Sequence, residues 1–147
     1  MKLIDPTETI LVVIAAELGE VAPDRDSAVQ LQREIDRRGA GHPYRRAVVV
    51  SDAAWQETPL FHMTPTIAVG GPGVNTVSGR LGSEIPTVWT QDERIVIQAD
   101  YSEHPARATL WGMDAAATTA AVDTFIARGW LDEFIDRCWR FRAGAFA

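Results

Sequence analysis

The segment Gly-Gly-Pro-Gly-Val-Asn at residues 70–75, called here the glycine loop, has the residue types that most directly suit ligand binding. Gly70, Gly71 and Gly73 permit backbone conformations that side chains restrict, and they let a ligand approach the main chain closely. A short helical pattern follows Asn75, and a helix N-terminus offers free N–H groups and partial positive charge. The pattern therefore predicts a phosphate or carboxylate site. The alternative is a tight strand-to-helix turn, because the loop has neither the lysine of a P-loop nor GxGxxG spacing.

Three acidic residues, Glu17, Asp52 and Asp114, follow predicted strands. Ligands of open α/β sheets bind at the carboxyl ends of the strands, so we expect these carboxylates to converge there with Asn75. Such a group could do acid–base work or hold a divalent cation. The alternatives are that Asp52 and Asp114 cap the helices after them and that Glu17 is solvated. No residue is assigned as a metal ligand, and the pattern identifies no cofactor.

The histidines His42, His62 and His104 do not have a spacing typical of metal ligands. His62 is expected in the long loop near the ligand edge and is the best candidate for a general base, whereas His42 and His104 are predicted to lie in solvated loops. The single cysteine, Cys138, excludes an intrachain disulfide. It lies on the apolar stripe of the last predicted helix, which favours a small buried side chain.

The chain has five tryptophans. Trp89, Trp111 and Trp139 fall on core-facing patterns. Trp55 lies in a segment with little pattern, and Trp130 lies at a break between two helices. An exposed tryptophan is a typical anchor of a protein contact, and core packing is the alternative for each of them.

The apolar patterns predict the elements that position these residues. Residues 9–15 and 46–51 are rich in β-branched side chains, which is typical of strands that are covered on both faces. The helix between them is expected to begin after Asp24 as N-cap and to stop at Gly39, completing a βαβ unit.

The remaining predicted strands are short: residues 66–69, 86–90, 95–99 and 108–110. The last three are expected to form an antiparallel meander in which the sixth strand is again parallel to the first. Residues 52–65 show at most one helical turn. Asp114 is predicted to cap an alanine-rich helix, Gly129 ends that helix, and an amphipathic helix follows.

Together these elements predict a single α/β domain spanning residues 1–147. The expected architecture is a three-layer sandwich with helices on both faces of a mixed sheet, parallel in its N-terminal part and antiparallel at its C-terminal edge.

Composition and charge exclude several classes of protein. With 46% hydrophobic and 23% charged residues, the chain is typical of neither disordered nor membrane proteins. Its net charge of −6 argues against nucleic-acid binding and against docking on an anionic membrane. Residues 1–6 do not have the pattern of a secretory signal, and a cytoplasmic location is expected.

Two motifs resemble segments of archaeal S-layer-type α/β domains. One is the GGP-x-x-N pattern of the glycine loop, and the other is the G-x-D-A-x-x-T-x-x-A pattern of residues 112–121. The resemblance spans residues 66–128 and implies an α/β module that takes part in assembly, with no established catalysis. The chain departs from that family because an export signal and a membrane anchor are not recognisable in it.

Two functions remain open from the sequence. The first is a non-catalytic interaction or self-assembly module whose partner is a second copy or another protein. The second is a small enzyme or sensor that binds a phosphorylated or nucleotide ligand at the glycine loop, with Asp52, His62 or Asp114 doing the proton work.

Overall fold

A six-stranded mixed sheet forms the centre of the protein, seen in a computed structural model that describes residues 4–15, 24–101 and 105–139. The strands are β1 (Ile10–Ile14), β2 (Ala47–Ser51), β3 (Thr66–Val69), β4 (Thr87–Gln91), β5 (Ile95–Asp100) and β6 (Arg107–Gly112). The helices are α1 (Arg25–Arg38), α2 (Asp52–Glu57), α3 (Pro59–His62), α4 (Thr76–Gly82), α5 (Ala115–Ala127) and α6 (Trp130–Cys138).

The strand order is β2-β1-β3-β6-β5-β4. Strands β2, β1, β3 and β6 are parallel neighbours, while β5 is antiparallel to both β6 and β4. The predicted mixed sheet is confirmed, including the return of β6 to the direction of β1. The carboxyl ends of β1, β3 and β6 therefore meet at one edge of the sheet, called here the carboxyl edge.

Strand β1 is apolar throughout because both of its faces are covered. Ile10 and Val12 pack into a core with α1, α5 and α6, whereas Leu11 and Val13 pack into a second core with α2 and α4. Because side chains alternate along a strand, an element covered on both faces must be apolar at every position. The two cores on opposite faces of the sheet confirm the predicted α/β layering.

The segment of residues 52–65 contains more helix than its pattern predicts. It forms α2 and α3, and Trp55 from α2 is fully buried in the second core. The indole Nε1 of Trp55 donates to the Thr66 hydroxyl at 3.1 Å, which satisfies its polar atom inside the core. Of the two interpretations of Trp55, core packing is therefore the one that holds.

Trp111 lies differently from the prediction. It belongs to neither core and is half-buried near the end of β6, because the glycine loop rather than a helix covers that position. Trp139, by contrast, is buried as expected, and its Nε1 donates to the carbonyl of Glu8 at 2.6 Å.

Helices α5 and α6 are separated by Gly129, which has a φ of +78°. This left-handed conformation suits glycine and lets α6 turn back onto the sheet. No helix within residues 4–15, 24–101 and 105–139 combines the length and the apolar character that a membrane crossing requires.

Candidate functional site

A cavity of about 400 Å³ opens at the carboxyl edge, between the glycine loop and the start of α5. Its volume lies in the range of small-molecule sites. The described residues that line it come from four places in the chain: Asp24, Gly71, Pro72, Gly73, Val74, Trp111, Gly112, Met113, Asp114, Ala115 and Thr118.

The glycine loop is held mainly by its own hydrogen bonds. The Gly71 carbonyl accepts from the N–H groups of Val74 at 3.1 Å and Asn75 at 2.8 Å. The hydroxyl of Ser78 donates to the Gly70 carbonyl at 2.6 Å. Pro72 has no N–H to offer a ligand. The loop is therefore a tight turn, as the alternative interpretation proposed, although Gly71 and Gly73 also line the cavity.

Asn75 is a structural residue and is fully buried. Its amide nitrogen donates to the carbonyls of Val13 and Val69, both at 3.0 Å, and so joins the ends of β1 and β3. Its amide oxygen accepts from the N–H groups of Val77 at 3.0 Å and Ser78 at 3.3 Å, which caps α4. With its donor and acceptor atoms in use, Asn75 is not placed to bind a ligand.

Asp52 occupies the place where the sequence predicts an anionic ligand. One oxygen of this buried carboxylate accepts from the backbone N–H of Thr76 at 2.9 Å and from the Thr76 hydroxyl at 3.0 Å. The start of α4 is therefore neutralised by a carboxylate of the chain itself. The first N–H groups of α4 are bound by Asp52 and Asn75 and are not free for the predicted phosphate. The cap of α2 is not Asp52 but Ser51, whose hydroxyl accepts from the Ala54 N–H.

Asp114 is the N-cap of α5, as predicted. Its Oδ1 accepts from the N–H of Ala117 at 2.8 Å, and its side chain is 59% exposed at the mouth of the cavity. The Arg94 guanidinium is 3.9 Å from Oδ2, a distance typical of a weak surface ion pair.

His62 lies away from this edge. It ends α3, and β3 begins soon afterwards at Thr66, which places His62 at the opposite, amino end of the strand. Its Nε2 is 2.8 Å from the Trp55 carbonyl, and its ring stacks on Trp55 with centroids 4.3 Å apart. The expectation that His62 lies near the ligand edge is wrong, because α3 carries the chain back before β3 starts.

The described residues contain no group of three His, Cys, Asp or Glu side chains that could hold a metal ion. Asp52 and Asp114 serve two different helices, and the predicted third member, Glu17, lies outside the described residues, as does His104. His42 is exposed, as predicted.

The residue that sequence reasoning missed is Asp24, which the pattern assigns only as the cap of α1. It holds the N-cap position, but its side chain makes no capping hydrogen bond. The residue is 5% exposed and its carboxylate points toward Gly70, where a Cβ would lie 2.6 Å from Oδ2. Gly70, with a φ of +110°, thus makes room for Asp24. Burial raises the pKa of the Asp24 carboxyl above its ordinary value.

The signal that could have found Asp24 is its place in the chain. It lies between β1 and α1 in the chain, and the carboxyl-edge rule applies to it as it does to Glu17. The pattern gave it a cap role instead, because Asp before a helix is common at an N-cap.

A second surface lies at the far edge of the sheet and consists of Val88, Trp89, Arg128 and Trp130; we call it the β4-edge surface. The Arg128 guanidinium lies 5.4 Å from the Trp89 ring centroid and 5.6 Å from that of Trp130. The two indoles are 6.5 Å apart. Val88 is 41% exposed, and β4 hydrogen-bonds to β5 alone in the described sheet.

Cys138 packs on the larger core and is partly buried, close to the expectation. Desolvation, together with the nearby Glu8 carboxylate, raises the pKa of its thiol to about 12. A thiol in that state is a poor nucleophile at neutral pH.

Neither a family model nor a curated protein matches this sequence. The similarity to archaeal S-layer-type domains therefore stays a prediction that rests on its two motifs.

Proposed function

We propose that this chain is a non-catalytic interaction module that self-associates through the β4-edge surface. The observation that carries the proposal is the character of β4. It is an edge strand of five residues, Thr-Val-Trp-Thr-Gln, in which four are exposed and none is charged.

An edge strand presents unpaired N–H and C=O groups on the side away from its neighbour. Proteins commonly protect such edges with charged side chains or proline, and neither occurs within Thr87–Gln91. A strand from a second molecule can extend the sheet there through main-chain hydrogen bonds.

A second copy suits this edge because of the charge distribution. The net charge of −6 makes two copies repel in general, but β4 contributes nothing to that repulsion. Antiparallel pairing about a two-fold axis at Trp89 would place Thr87 of one copy opposite Gln91 of the other. Both members of that pair are uncharged, and the contact is self-complementary.

The aromatic residues beside the strand supply the anchors of the contact. Trp89 and Trp130 are half-buried, and the exposed Arg128 stacks near both rings. Tryptophan and arginine are the residue types that most often dominate binding energy at protein interfaces.

The test is sedimentation velocity of the purified protein over a wide concentration range. The proposal predicts a monomer–dimer equilibrium for the wild type and a monomer for Val88→Lys. Each lysine would lie opposite Thr90 of the other copy and diagonal to the other lysine, which places two like charges close together on the uncharged edge. Leu60→Lys is the matched control, since Leu60 is 42% exposed on α3 and Val88 is 41% exposed on β4.

Dimers that persist in Val88→Lys, or a wild type that is monomeric at every concentration, would overturn the proposal. Thermal unfolding of both variants shows whether each is folded. Trp139 is not part of this surface because it is buried against Glu8.

A further inference from the structure

The cavity at the carboxyl edge has a property that the self-association does not use. Asp24, the more buried of its two charged lining residues, is 5% exposed, and its carboxylate receives no hydrogen bond from the described residues. The carboxylate oxygens of Asp24 are not enclosed: they face the open cavity and can accept hydrogen bonds from a group bound there.

The local geometry directs this carboxylate to the cavity rather than to its helix. Aspartate at an N-cap normally accepts from a first-turn N–H, yet Asp24 has a φ of −98° and a ψ of 9° and makes no such bond. Gly70 leaves space for its Oδ2. Positions where a local rule is broken and neighbouring residues accommodate the exception are expected to be functional.

The rest of the cavity wall is apolar and acidic. Trp111, Pro72 and Val74 present aromatic and aliphatic surface. The only charged side chains among the described lining residues are the carboxylates of Asp24 and Asp114, with no lysine, arginine or histidine. Negative charge over an aromatic wall favours a cation and repels a phosphate.

Acceptors of the chain itself occupy N–H groups at two of the helix N-termini near the cavity. The start of α5 is capped by Asp114, whose Oδ1 accepts from Ala117. The start of α4 is bound by Asp52 and Asn75. The first N–H groups of α4 and the Ala117 N–H of α5 are therefore already bound by acceptors of the chain itself.

We propose that this cavity binds a small organic cation, with a protonated amine or amidine on the Asp24 carboxylate and a flat apolar body against Trp111. The cationic group supplies the donors that Asp24 lacks, and the apolar body covers the wall. The proposal concerns a site separate from β4 and holds whether or not the protein self-associates.

Three probes of nearly equal shape test the charge preference: benzamidine, neutral benzamide and anionic benzoate. Each is titrated into ¹⁵N-labelled protein, and the amide signals of Gly71 and Gly73 and the indole signal of Trp111 are followed. We expect benzamidine to bind with a Kd of about 1 mM or below, as suits a fragment of this size. Benzamide is expected to bind roughly tenfold more weakly, and benzoate is not expected to bind.

Variants of the two wall carboxylates locate the cation. Asp24→Asn keeps the shape of the side chain and is expected to raise the Kd for benzamidine by roughly tenfold. Asp114→Asn is the matched control, because asparagine also caps helices and an exposed carboxylate should change the Kd by less than about threefold.

A third variant tests whether benzamidine binds in this cavity, without changing the charge of the cavity wall. A Cβ at Gly71 would meet the Trp111 ring at an ordinary 3.5 Å, so Gly71→Val should fold, cover part of the Trp111 wall and weaken benzamidine binding by at least tenfold. The proposal is overturned if benzamidine does not bind, if benzoate binds at least as well, or if Asp24→Asn or Gly71→Val, shown folded by thermal unfolding, binds benzamidine like the wild type.

Discussion

Replacing Asn75 by alanine should destabilise the protein far more than the loss of an ordinary helix cap. The variant loses the cap on Val77 and Ser78, which is worth about 1 kcal/mol. It also loses the two buried donations to the carbonyls of Val13 and Val69, each worth about 1 kcal/mol. The free energy of unfolding should therefore fall by about 3 kcal/mol, and Tm by roughly 10 °C for a domain of this size.

The assay is urea unfolding at 25 °C followed by circular dichroism. Asp114→Ala serves as the control, because it removes the exposed cap of α5 and should cost about 1 kcal/mol. Asn75→Asp is the sharper variant: it retains the acceptor for the cap but turns an oxygen toward two carbonyls. We expect it to be at least as unstable as Asn75→Ala at pH 7.

Equal costs for Asn75→Ala and Asp114→Ala would refute this reasoning, as would an Asn75→Asp variant of near wild-type stability. Either result would mean that the link between β1 and β3 contributes little and that only the cap matters.

Three further predictions concern buried groups. Burial raises the pKa of Asp24 in the folded state, so ionisation of this carboxyl costs stability as the pH rises above its ordinary value of 3.8. Asp24→Asn should therefore be more stable than the wild type at pH 7, and unfolding curves measured between pH 7 and pH 3.8 should show this gain shrinking. A gain that does not change with pH would contradict the raised pKa. Gly70→Ala should lower the free energy of unfolding by about 2 kcal/mol, because φ is +110° and the new Cβ meets Asp24. In urea unfolding, the double variant Gly70→Ala/Asp24→Ala should recover only the part of this cost that comes from the steric contact. Fully additive costs of the two substitutions would contradict the contact. The Cys138 thiol, whose pKa is raised to about 12, should resist alkylation by iodoacetamide at pH 8 in the native protein and react once the protein is unfolded in urea. Mass spectrometry measures the alkylated fraction in each case. Rapid alkylation of the native protein would contradict the burial of the thiol.

The fold followed from short-range patterns in the sequence. Continuous β-branched runs predicted β1 and β2, because such runs are typical of strands buried on both faces, and Asp24 and Gly39 predicted the ends of α1. The parallel direction of β6 followed from counting the turns of the meander.

The roles of the site residues were harder to predict because they depend on contacts between distant parts of the chain. Asn75 bonds to Val13, and Asp52 bonds to Thr76, across 62 and 24 positions of sequence. A cap pattern indicates that Asp24 precedes a helix but not where its carboxylate points. The glycine loop does line a cavity at the carboxyl edge, but the sequence does not indicate that Asp52 and Asn75 bind the first N–H groups of α4.

The position of β6 has a consequence for synthesis of the chain on the ribosome. β6 is the last strand to be made, yet it lies between β3 and β5 in the sheet. Until β6 emerges, the growing chain carries the parallel strands β2, β1 and β3 and the hairpin of β4 and β5, with no strand to join the two parts. The edges of β3 and β5 that later pair with β6 are then unpaired. The sheet therefore closes only after Gly112 has left the ribosome, so the nascent chain is most open to wrong strand pairing during the interval before β6 arrives.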